Sequence, residues 1–396
     1  MLGAGPGRAL AGAVFVSSAI AAGYLVSRWR RGRNPSPQSS SIRNEDIGQP
    51  LIEAISFEPE EIERYIKSSP KAELHCHLNG SVRIETLKEL LGDSAIPGDG
   101  VVHSIEDAFV MFKLVYKAVD TELWLRRIVR ECLEDAVLDN VCYLELRTTP
   151  RKMSDVLSRR EYVKIVTDEI GKFPLINNQR PLTSFPTGKV AVRLILTIDR
   201  SQPVSVAEQT VDIALKFPDW VVGVDFAGNP TVGQFQEFRS VFERARGHGL
   251  FTTVHTSEIR GVEEETSSIL DFKPNRMGHF LFPTDSQIEE AIRKGIFIES
   301  CPTSNMCAIS GKSPVDGDMN GHSMLDFFVR NRSNLFSINT DDPGVFSVRL
   351  SDEVFSVART FKLNTVRVRE ILTAAASHAF LPRAERDVLV STILNA

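Results

Sequence analysis

The sequence has few of the features that mark secreted, repetitive or nucleic-acid-binding proteins. Its five cysteines include no Cys-x-x-Cys pair and no even disulfide framework, a pattern typical of a reducing compartment such as the cytoplasm. The net charge is −5, and residues 1–50 hold six arginines against two acidic residues, so residues 51–396 carry about −9 (−5 minus 4). An acidic body without a basic stripe argues against a nucleic-acid-binding surface.

A glycine-rich phosphate-binding turn is also missing. A doubly wound α/β sheet that binds a nucleotide would carry such a turn after an early strand. Instead, apolar runs of strand length alternate with segments of helical periodicity. The first run ends with the segment His75-Cys76-His77. The other seven cover residues 141–147, 190–198, 221–226, 251–254, 275–278, 295–299 and 335–338.

Eight strands that alternate with helices predict a closed (β/α)8 barrel, the TIM-barrel fold. We expect this barrel to occupy residues 51–396. Polar residues follow the predicted strands at their C-terminal ends, where such barrels keep their active sites. In the helical stretch 105–120, the spacing of Phe109 and Phe112 is typical of core residues, whereas Tyr116 could reach a pocket with its hydroxyl.

The first fifty residues form a separate N-terminal extension. Residues 9–26 are uncharged and sit at the lower length limit for a membrane span. The basic cluster 28–33 follows, so an anchor of this kind would leave the body in the cytoplasm. An extension without membrane contact is the alternative, because Ala, Gly and Ser make the run only mildly hydrophobic. Residues 34–50, rich in Ser, Pro and Gln, predict a flexible linker.

His75 and His77 are one residue apart at a predicted strand end. Residues i and i+2 of a strand point to the same face, so the two imidazoles can converge. A lone His-x-His pair is more often an ordinary pair near a turn, and a metal site needs further ligands. His255 and Asp341 follow two other strands. Three imidazoles and one carboxylate suit zinc, so we predict one Zn²⁺ per chain held by these four residues, with a water completing the shell.

Three further residues at strand ends are candidates for catalysis. Glu258 lies three residues after His255, close enough to act on the same substrate without being a ligand. His279 and Asp342 could hold the attacking water by hydrogen bonds. His322 precedes a predicted helix, and we expect it to have a structural role; contact with the rim of the pocket is the alternative.

The motifs at these strand ends resemble the adenosine/AMP deaminase family. They occur in the family's order and span roughly residues 70–345. The Leu-Asn-Gly-Ser sequence after the histidines and the segment 145–151 most resemble the adenosine deaminase-like branch, known as N6-methyl-AMP deaminase. Ordinary adenosine deaminases have Asp in place of Asn79. The motifs are His75-Cys76-His77-Leu78-Asn79-Gly80, His255-Thr256-Ser257-Glu258, Arg276-Met277-Gly278-His279, Cys301-Pro302-Thr303-Ser304-Asn305 and Asn339-Thr340-Asp341-Asp342-Pro343.

The resemblance implies zinc-dependent hydrolysis of N6-methyl-AMP to IMP and methylamine by a monomer. Glu258 would protonate the purine N1, Asp342 would also contact N7, and the Gly228 backbone would contact N3. Deamination of adenosine to inosine and ammonia is the alternative. A third possibility, a membrane-tethered binding protein without turnover, is disfavoured by the intact ligand set and Glu258.

A nucleotide substrate also requires donors for its phosphate. Thr148, Thr149 and Arg151 provide two hydroxyls and a guanidinium at one strand end, although Arg151 could equally be a solvated loop residue. Asn79 suits an anion better than Asp because a carboxylate would repel it. Asp199 could bind ribose or pair with Arg200. The predicted substrate-binding residues are His77, Asn79, Tyr116, Thr148, Thr149, Pro150, Arg151, Asp199, Gly228 and Asp342.

Overall fold

The computed structural model describes residues 57–97, 102, 104–154, 157–311, 313–314 and 317–396. The predicted N-terminal extension, with the possible anchor at residues 9–26, lies outside these ranges. Among the described residues, no helix is both long and apolar enough to cross a membrane.

The eight predicted strands are present and form one parallel sheet in the order β1 to β8. Their bounds are β1 Lys71–His77, β2 Val141–Thr148, β3 Ala191–Asp199, β4 Val221–Ala227, β5 Phe251–Thr256, β6 Arg276–His279, β7 Phe297–Ser300 and β8 Phe336–Ile338. A backbone bridge between Cys76 and Asp341 joins the end of β8 to β1. In it, Asp341 N–H donates to His75 O at 2.9 Å, and His77 N–H donates to Asp341 O at 2.7 Å. The predicted (β/α)8 barrel is confirmed.

Helices connect the strands and surround the barrel. In the described part of the chain they are α1 Pro59–Ser68, α2 Ile84–Leu91, α3 Ile105–Ala118, α4 Glu122–Leu138, α5 Arg159–Lys172, α6 Val204–Ala214, α7 Phe235–Gly247, α8 Glu263–Phe272, α9 Asp285–Lys294, α10 Pro302–Ser310, α11 Ser323–Arg330, α12 Pro343–Phe346, α13 Leu350–Phe361, α14 Thr365–Ser377 and α15 Arg383–Leu394. Polar side chains cap the N-termini of several helices. At the start of α3, for example, Ser104 Oγ accepts a hydrogen bond from the Asp107 N–H at 3.1 Å.

The strands are buried on both faces, as parallel strands covered by helices should be. Their outward side chains pack against the helices. Phe226 of β4, for example, meets Phe235, Phe238 and Phe242 of α7, with ring centroids 5.1 to 6.0 Å apart. Each such buried ring contributes about 1.5–3 kcal/mol of transfer free energy. This apolar layer between the strands and the helices stabilises the barrel. The inner face of the strands can therefore carry polar groups.

The inner face contains charged groups rather than only aliphatic ones. Arg276 of β6 is 1% exposed; it ion-pairs with Glu145 of β2, and its Nε lies 2.6 Å from Glu299 Oε1 of β7. Its Nη1 donates to His378 O at 3.0 Å, and its guanidinium lies 3.5 Å from the centre of the Phe380 ring. This one side chain therefore ties three strands to the C-terminal end of α14.

Replacing Arg276 with methionine should strongly destabilise the barrel. The substitution leaves the buried Glu145 carboxylate without its cation and Glu299 with Arg147 alone, and breaking a buried ion pair costs about 3–5 kcal/mol of unfolding free energy. Urea denaturation followed by circular dichroism measures the loss. Arg239→Met is the matched control, because Arg239 pairs with Glu243 and Asp271 at the surface and its loss should change stability little. Equal effects of the two substitutions would contradict the prediction.

Candidate metal centre and active-site cavity

A cavity of about 560 Å³ opens at the C-terminal ends of the strands. Its lining combines polar residues at or just after the ends of β1, β3, β5, β6 and β8 with an apolar wall. The polar lining residues include His77, Asn79, Asp199, His255, Glu258, His279, Asp341 and Asp342. The apolar wall includes Phe109, Phe112, Ile259, Leu281, Phe282 and Phe346.

The four predicted metal ligands lie together at the floor of this cavity. One nitrogen from each of His75, His77 and His255 and one oxygen of Asp341 lie within 4.8 Å of one another. Asp341 Oδ1 is 3.1 Å from His75 Nε2 and 3.4 Å from His77 Nε2, and His77 Nε2 is 3.3 Å from His255 Nε2. The strand alternation that brings His75 and His77 to one face, and the closure of β8 on β1, produce this cluster.

Two buried carboxylates orient two of these histidines. His75 Nδ1 lies 2.8 Å from Glu299 Oε2, and His255 Nδ1 lies 3.0 Å from Asp225 Oδ1. Arg147, which is fully buried, bridges the pair: its Nη2 donates to Glu299 Oε2 at 2.8 Å and its Nη1 to Asp225 Oδ2 at 3.2 Å. Burial favours the neutral acids, but Arg147 together with the partner histidines holds the pKa of both carboxyls below its usual range. Each ionised carboxylate therefore accepts a proton-bearing Nδ1.

The arrangement fits a bound cation. A neutral imidazole that donates through Nδ1 presents a lone pair at Nε2, so His75 and His255 direct lone pairs toward the Asp341 carboxylate. His75 Nε2 is buried and, within the described ranges, makes no hydrogen bond, although Asp341 Oδ1 is 3.1 Å away. Two lone pairs at that distance repel unless a positive charge lies between them. Three imidazole nitrogens and one carboxylate are the ligand set expected for a catalytic metal with an open position.

The pKa values of the ligands point the same way. Burial lowers the pKa of His77 below its ordinary value, which keeps it in the neutral form that binds metals. Burial also acts to lower the pKa of His255, but the charge of Asp225 and its hydrogen bond raise it to about 9. Without a metal, His255 would therefore also carry a proton on Nε2 at neutral pH. A bound cation would replace that proton and supply the positive charge that the neighbouring carboxylates stabilise.

The three predicted catalytic residues adjoin the cluster. His279 Nε2 lies 3.6 Å from Glu258 Oε1 and 3.9 Å from Asp341 Oδ2. Both His279 (φ 59°) and Asp341 (φ 61°) have left-handed backbone conformations, which non-glycine residues adopt mainly where the surroundings enforce them. Burial, together with the neighbouring Asp341 and Glu258 carboxylates, raises the pKa of Asp342 well above its usual range.

Gly80 explains part of the sequence motif after the two histidines. A Cβ atom at this position would lie 1.7 Å from Asp342 Oδ1. The backbone of the turn after β1 thus contacts the carboxylate that follows β8, and any side chain there would displace it.

Five of the predicted substrate-binding residues besides His77 and Asp342 line the cavity. They are Asn79, Tyr116, Thr149, Asp199 and Gly228. Asn79 is 6% exposed and, within the part of the chain that the structure describes, its Oδ1 has no hydrogen-bond partner. The Asp199 carboxylate accepts from the N–H and hydroxyl of Ser201 at 2.9 and 2.7 Å, so the alternative of a pair with Arg200 is wrong; Arg200 pairs with Glu265 at 2.6 Å.

The structure does not bring Thr148, Pro150 and Arg151 into the cavity lining. Strand alternation is the reason for Thr148: Arg147 and Thr149 point inward, whereas the Thr148 hydroxyl meets the Tyr162 hydroxyl of α5 at 2.8 Å. The Arg151 guanidinium donates to the carbonyl oxygens of Tyr116 and Val119 and lies 4.9 Å from the centre of the Tyr116 ring. Arg151 is therefore adjacent to a lining residue without lining the cavity itself.

The sequence interpretation also missed contributors to the site. Phe109 and Phe112 were expected in the core but form part of the apolar cavity wall. Asp225 and Glu299 lie within predicted strands, and the sequence alone does not show that they pair with His255 and His75. An ionisable residue inside an otherwise apolar strand was the available clue, because such a residue requires a partner.

Asp225→Asn should weaken metal binding without unfolding the protein. An amide accepts less strongly than a carboxylate, and loss of a partner of a metal-bound histidine typically costs about 10- to 100-fold in affinity. Competition with a chromophoric chelator measures this affinity. Asp219→Asn, an exposed position two residues before the same strand, is the control. Unchanged affinity in Asp225→Asn would contradict the proposed orienting role of this carboxylate.

Comparison with known proteins agrees with this geometry. The family model described as adenosine deaminase matches residues 70–396. The N6-mAMP deaminase of Arabidopsis thaliana is 34% identical over 340 residues, which cover 80% of this chain and 94% of that protein. The N6-methyl-AMP deaminase of Danio rerio is 31% identical and covers 84% of this chain, with 96% of its own length matched.

A solved structure gives the same result at the level of the fold. The crystal structure of arabidopsis ADAL complexed with IMP superposes with a TM-score of 0.75 at 33% identity. The match covers 84% of this chain and 98% of that one. Sequence family, relatives and fold agree, and the protein belongs to the adenosine deaminase family.

Proposed function

We propose that this protein hydrolyses N6-methyl-AMP to IMP and methylamine, with zinc as its metal. The proposal rests above all on the convergence of the cluster His75, His77, His255 and Asp341 with Glu258 at one cavity floor. The relatives named N6-methyl-AMP deaminase, and the arabidopsis relative complexed with IMP, support the choice of substrate and product.

The four ligands would hold the metal beside the purine C6. Zinc bound there would lower the pKa of a bound water from about 16 to about 7, which supplies the nucleophile at neutral pH. Asp342 contacts the attacking oxygen with a carboxylate that, within the described residues, has an unpaired buried oxygen. The absence of a side chain at Gly80 leaves the space that this carboxylate occupies.

Glu258 transfers a proton to N1 of the purine. Protonation at N1 makes C6 electrophilic, so the oxygen adds at C6 and the C6–N6 bond then breaks. The amine leaves as methylamine after it gains a proton, and the ring keeps the oxygen as a 6-oxopurine. General acid help of this kind contributes about 10²- to 10⁴-fold in rate.

The phosphate is proposed to lie at the end of the cavity formed by β1, β2 and α3. Asn79, Tyr116 and Thr149 line the cavity with polar groups that come from these elements. The Arg151 guanidinium stacks on Tyr116 and can exchange its two backbone carbonyl acceptors for a phosphate by rotating its side chain. Arginine suits this role because its planar fork of N–H donors matches phosphate oxygens.

The protein is further proposed to work as a monomer in the cytoplasm. One chain supplies the four predicted ligands together with Glu258, His279 and Asp342. The five cysteines are free thiols, which suits a reducing compartment.

Glu258→Gln should lower kcat for N6-methyl-AMP by about 10²-fold or more, because glutamine cannot donate the N1 proton. The assay follows methylamine release, and the zinc content of each preparation is measured alongside. Chelation should abolish turnover of the parent protein, and added zinc should restore it. Glu264→Gln, at an exposed position of α8, is the control. Full activity of the Glu258 variant would refute the mechanism, and faster turnover of adenosine than of N6-methyl-AMP would refute the substrate.

Arg151→Ala should lower kcat/KM for N6-methyl-AMP about 10- to 100-fold and leave that for N6-methyladenosine unchanged. The expected loss corresponds to one hydrogen bond to a charged group, worth about 1.5–3 kcal/mol. Arg260→Ala is the comparison, because Arg260 lines the cavity on the β5 side and lies over Phe282. A selective loss in the Arg260 variant instead would place the phosphate at the opposite side of the cavity.

A further inference from the structure

A buried chain of hydrogen bonds leads from His279 away from the cavity. His279 Nδ1 lies 2.8 Å from Asn305 Oδ1, and Asn305 Nδ2 lies 3.0 Å from His322 Nε2. All three side chains are at most 4% exposed. His279 and Asn305 line the cavity, and His322, which does not, is connected to His279 through the Asn305 amide.

The proton of His322 is fixed by the backbone of α11. His322 is the N-terminal cap of this helix, and its Nδ1 accepts from the Leu325 N–H at 3.3 Å. A nitrogen that accepts a hydrogen bond carries no proton, so the imidazole is neutral and its single proton is on Nε2. Burial lowers the pKa of His322 to about 3, in keeping with a neutral ring.

The proton on His322 Nε2 determines which way the Asn305 amide must point. If Asn305 Nδ2 faces His322, two N–H donors confront each other at 3.0 Å. The oxygen and nitrogen of an amide have nearly the same shape, so a half-turn of this group interchanges them without disturbing the packing. After that half-turn, Oδ1 accepts from His322 Nε2–H and Nδ2–H donates to His279 Nδ1. Every polar atom in the chain then has a complementary partner.

We propose that His322 and Asn305 are positioning residues that hold His279 in the tautomer with its proton on Nε2. The Nδ1 of His279 accepts from Asn305 and so carries no proton. Its Nε2–H faces the cavity, where Glu258 Oε1 at 3.6 Å and Asp341 Oδ2 at 3.9 Å are both acceptors.

The tautomer decides what His279 does in the reaction, a consequence that rests on the proposed deaminase function. With a proton already on Nε2, His279 donates a hydrogen bond to the attacking oxygen and does not accept its proton. The proton of the attacking water then goes to a carboxylate of the site, and the fixed N–H stabilises the negative charge on the oxygen as it adds to C6. Preorganised donors of this kind act without reorientation during the reaction.

Nitrogen-15 NMR of the zinc-loaded, full-length protein labelled at histidine tests the assignment directly. Protonated and unprotonated ring nitrogens have well-separated chemical shifts, and the His279 signals are identified by their absence in His279→Gln. The expected result is a protonated Nε2 and an unprotonated Nδ1. A protonated Nδ1 would overturn the proposal.

Asn305→Asp tests whether the amide sets the tautomer. A carboxylate only accepts, so the His279 proton should move to Nδ1, and kcat should fall about 10²-fold, the usual cost of losing one donor to a developing oxyanion. KM should change little. Asn177→Asp is the matched control, because Asn177 is also buried but its Nδ2 donates to Ser184 O at 2.8 Å, away from the cavity. A His279 spectrum in Asn305→Asp that matches the parent would overturn the role of Asn305.

His322→Asn separates the capping role of His322 from its effect on His279. Asparagine is a good helix cap, so α11 should keep its start. The shorter side chain leaves Asn305 free to take both orientations, and both His279 tautomers should then appear. A single Nε2–H tautomer in this variant would overturn the role of His322. These spectra need no substrate: a chain that fails to turn over N6-methyl-AMP would refute the proposed function while leaving the tautomer assignment intact.

Discussion

The buried Arg147 guanidinium is the contact on which the catalytic end of the barrel depends. It holds Asp225 and Glu299 ionised in a protein interior, and each of these carboxylates orients one histidine of the metal cluster. The same side chain donates to Leu74 O at 2.7 Å, which ties β2 to β1 beside the two histidines. Loss of any one of these three residues would leave a buried charge without its partner, so the arrangement is specified as a unit, and the ligands are preorganised before any metal arrives.

The site combines these buried ion pairs with backbone strain at two of its residues. His279 and Asp341 have left-handed conformations, each at a cost of about 1–3 kcal/mol, and both residues belong to the proposed site. Gly278 precedes one of them, and a Cβ atom there would lie 2.9 Å from His75 Cε1. The packing of the helices against the apolar outer face of the barrel offsets this cost in folding free energy. The site is therefore crowded, and small residues in its motifs are required by space as much as by backbone conformation.

Much of this architecture could be predicted from the sequence because local patterns determine it. Each strand is an apolar run with polar residues at its end, and His75, His77, His255 and Asp341 are all at strand ends. The pairing of Arg147 with Asp225 and Glu299 could not be predicted, since it depends on which strands become neighbours across the barrel interior. Phe109 and Phe112 have helical spacing whether they face a core or a cavity. The outward direction of Thr148, by contrast, follows from strand alternation beside Arg147 and could have been deduced.

The bridge between Cys76 and Asp341 has a consequence for the order of assembly. Three ligands come from β1 and β5, but the fourth follows β8, and its backbone pairs with β1 only when the barrel closes. On a chain synthesised from its N-terminus, the histidines emerge long before the carboxylate that completes their shell. A metal held by all four would link the first strand of the barrel to the last. Tight metal binding would then require a closed barrel. A partly folded chain would have a lower affinity for the metal than the folded protein.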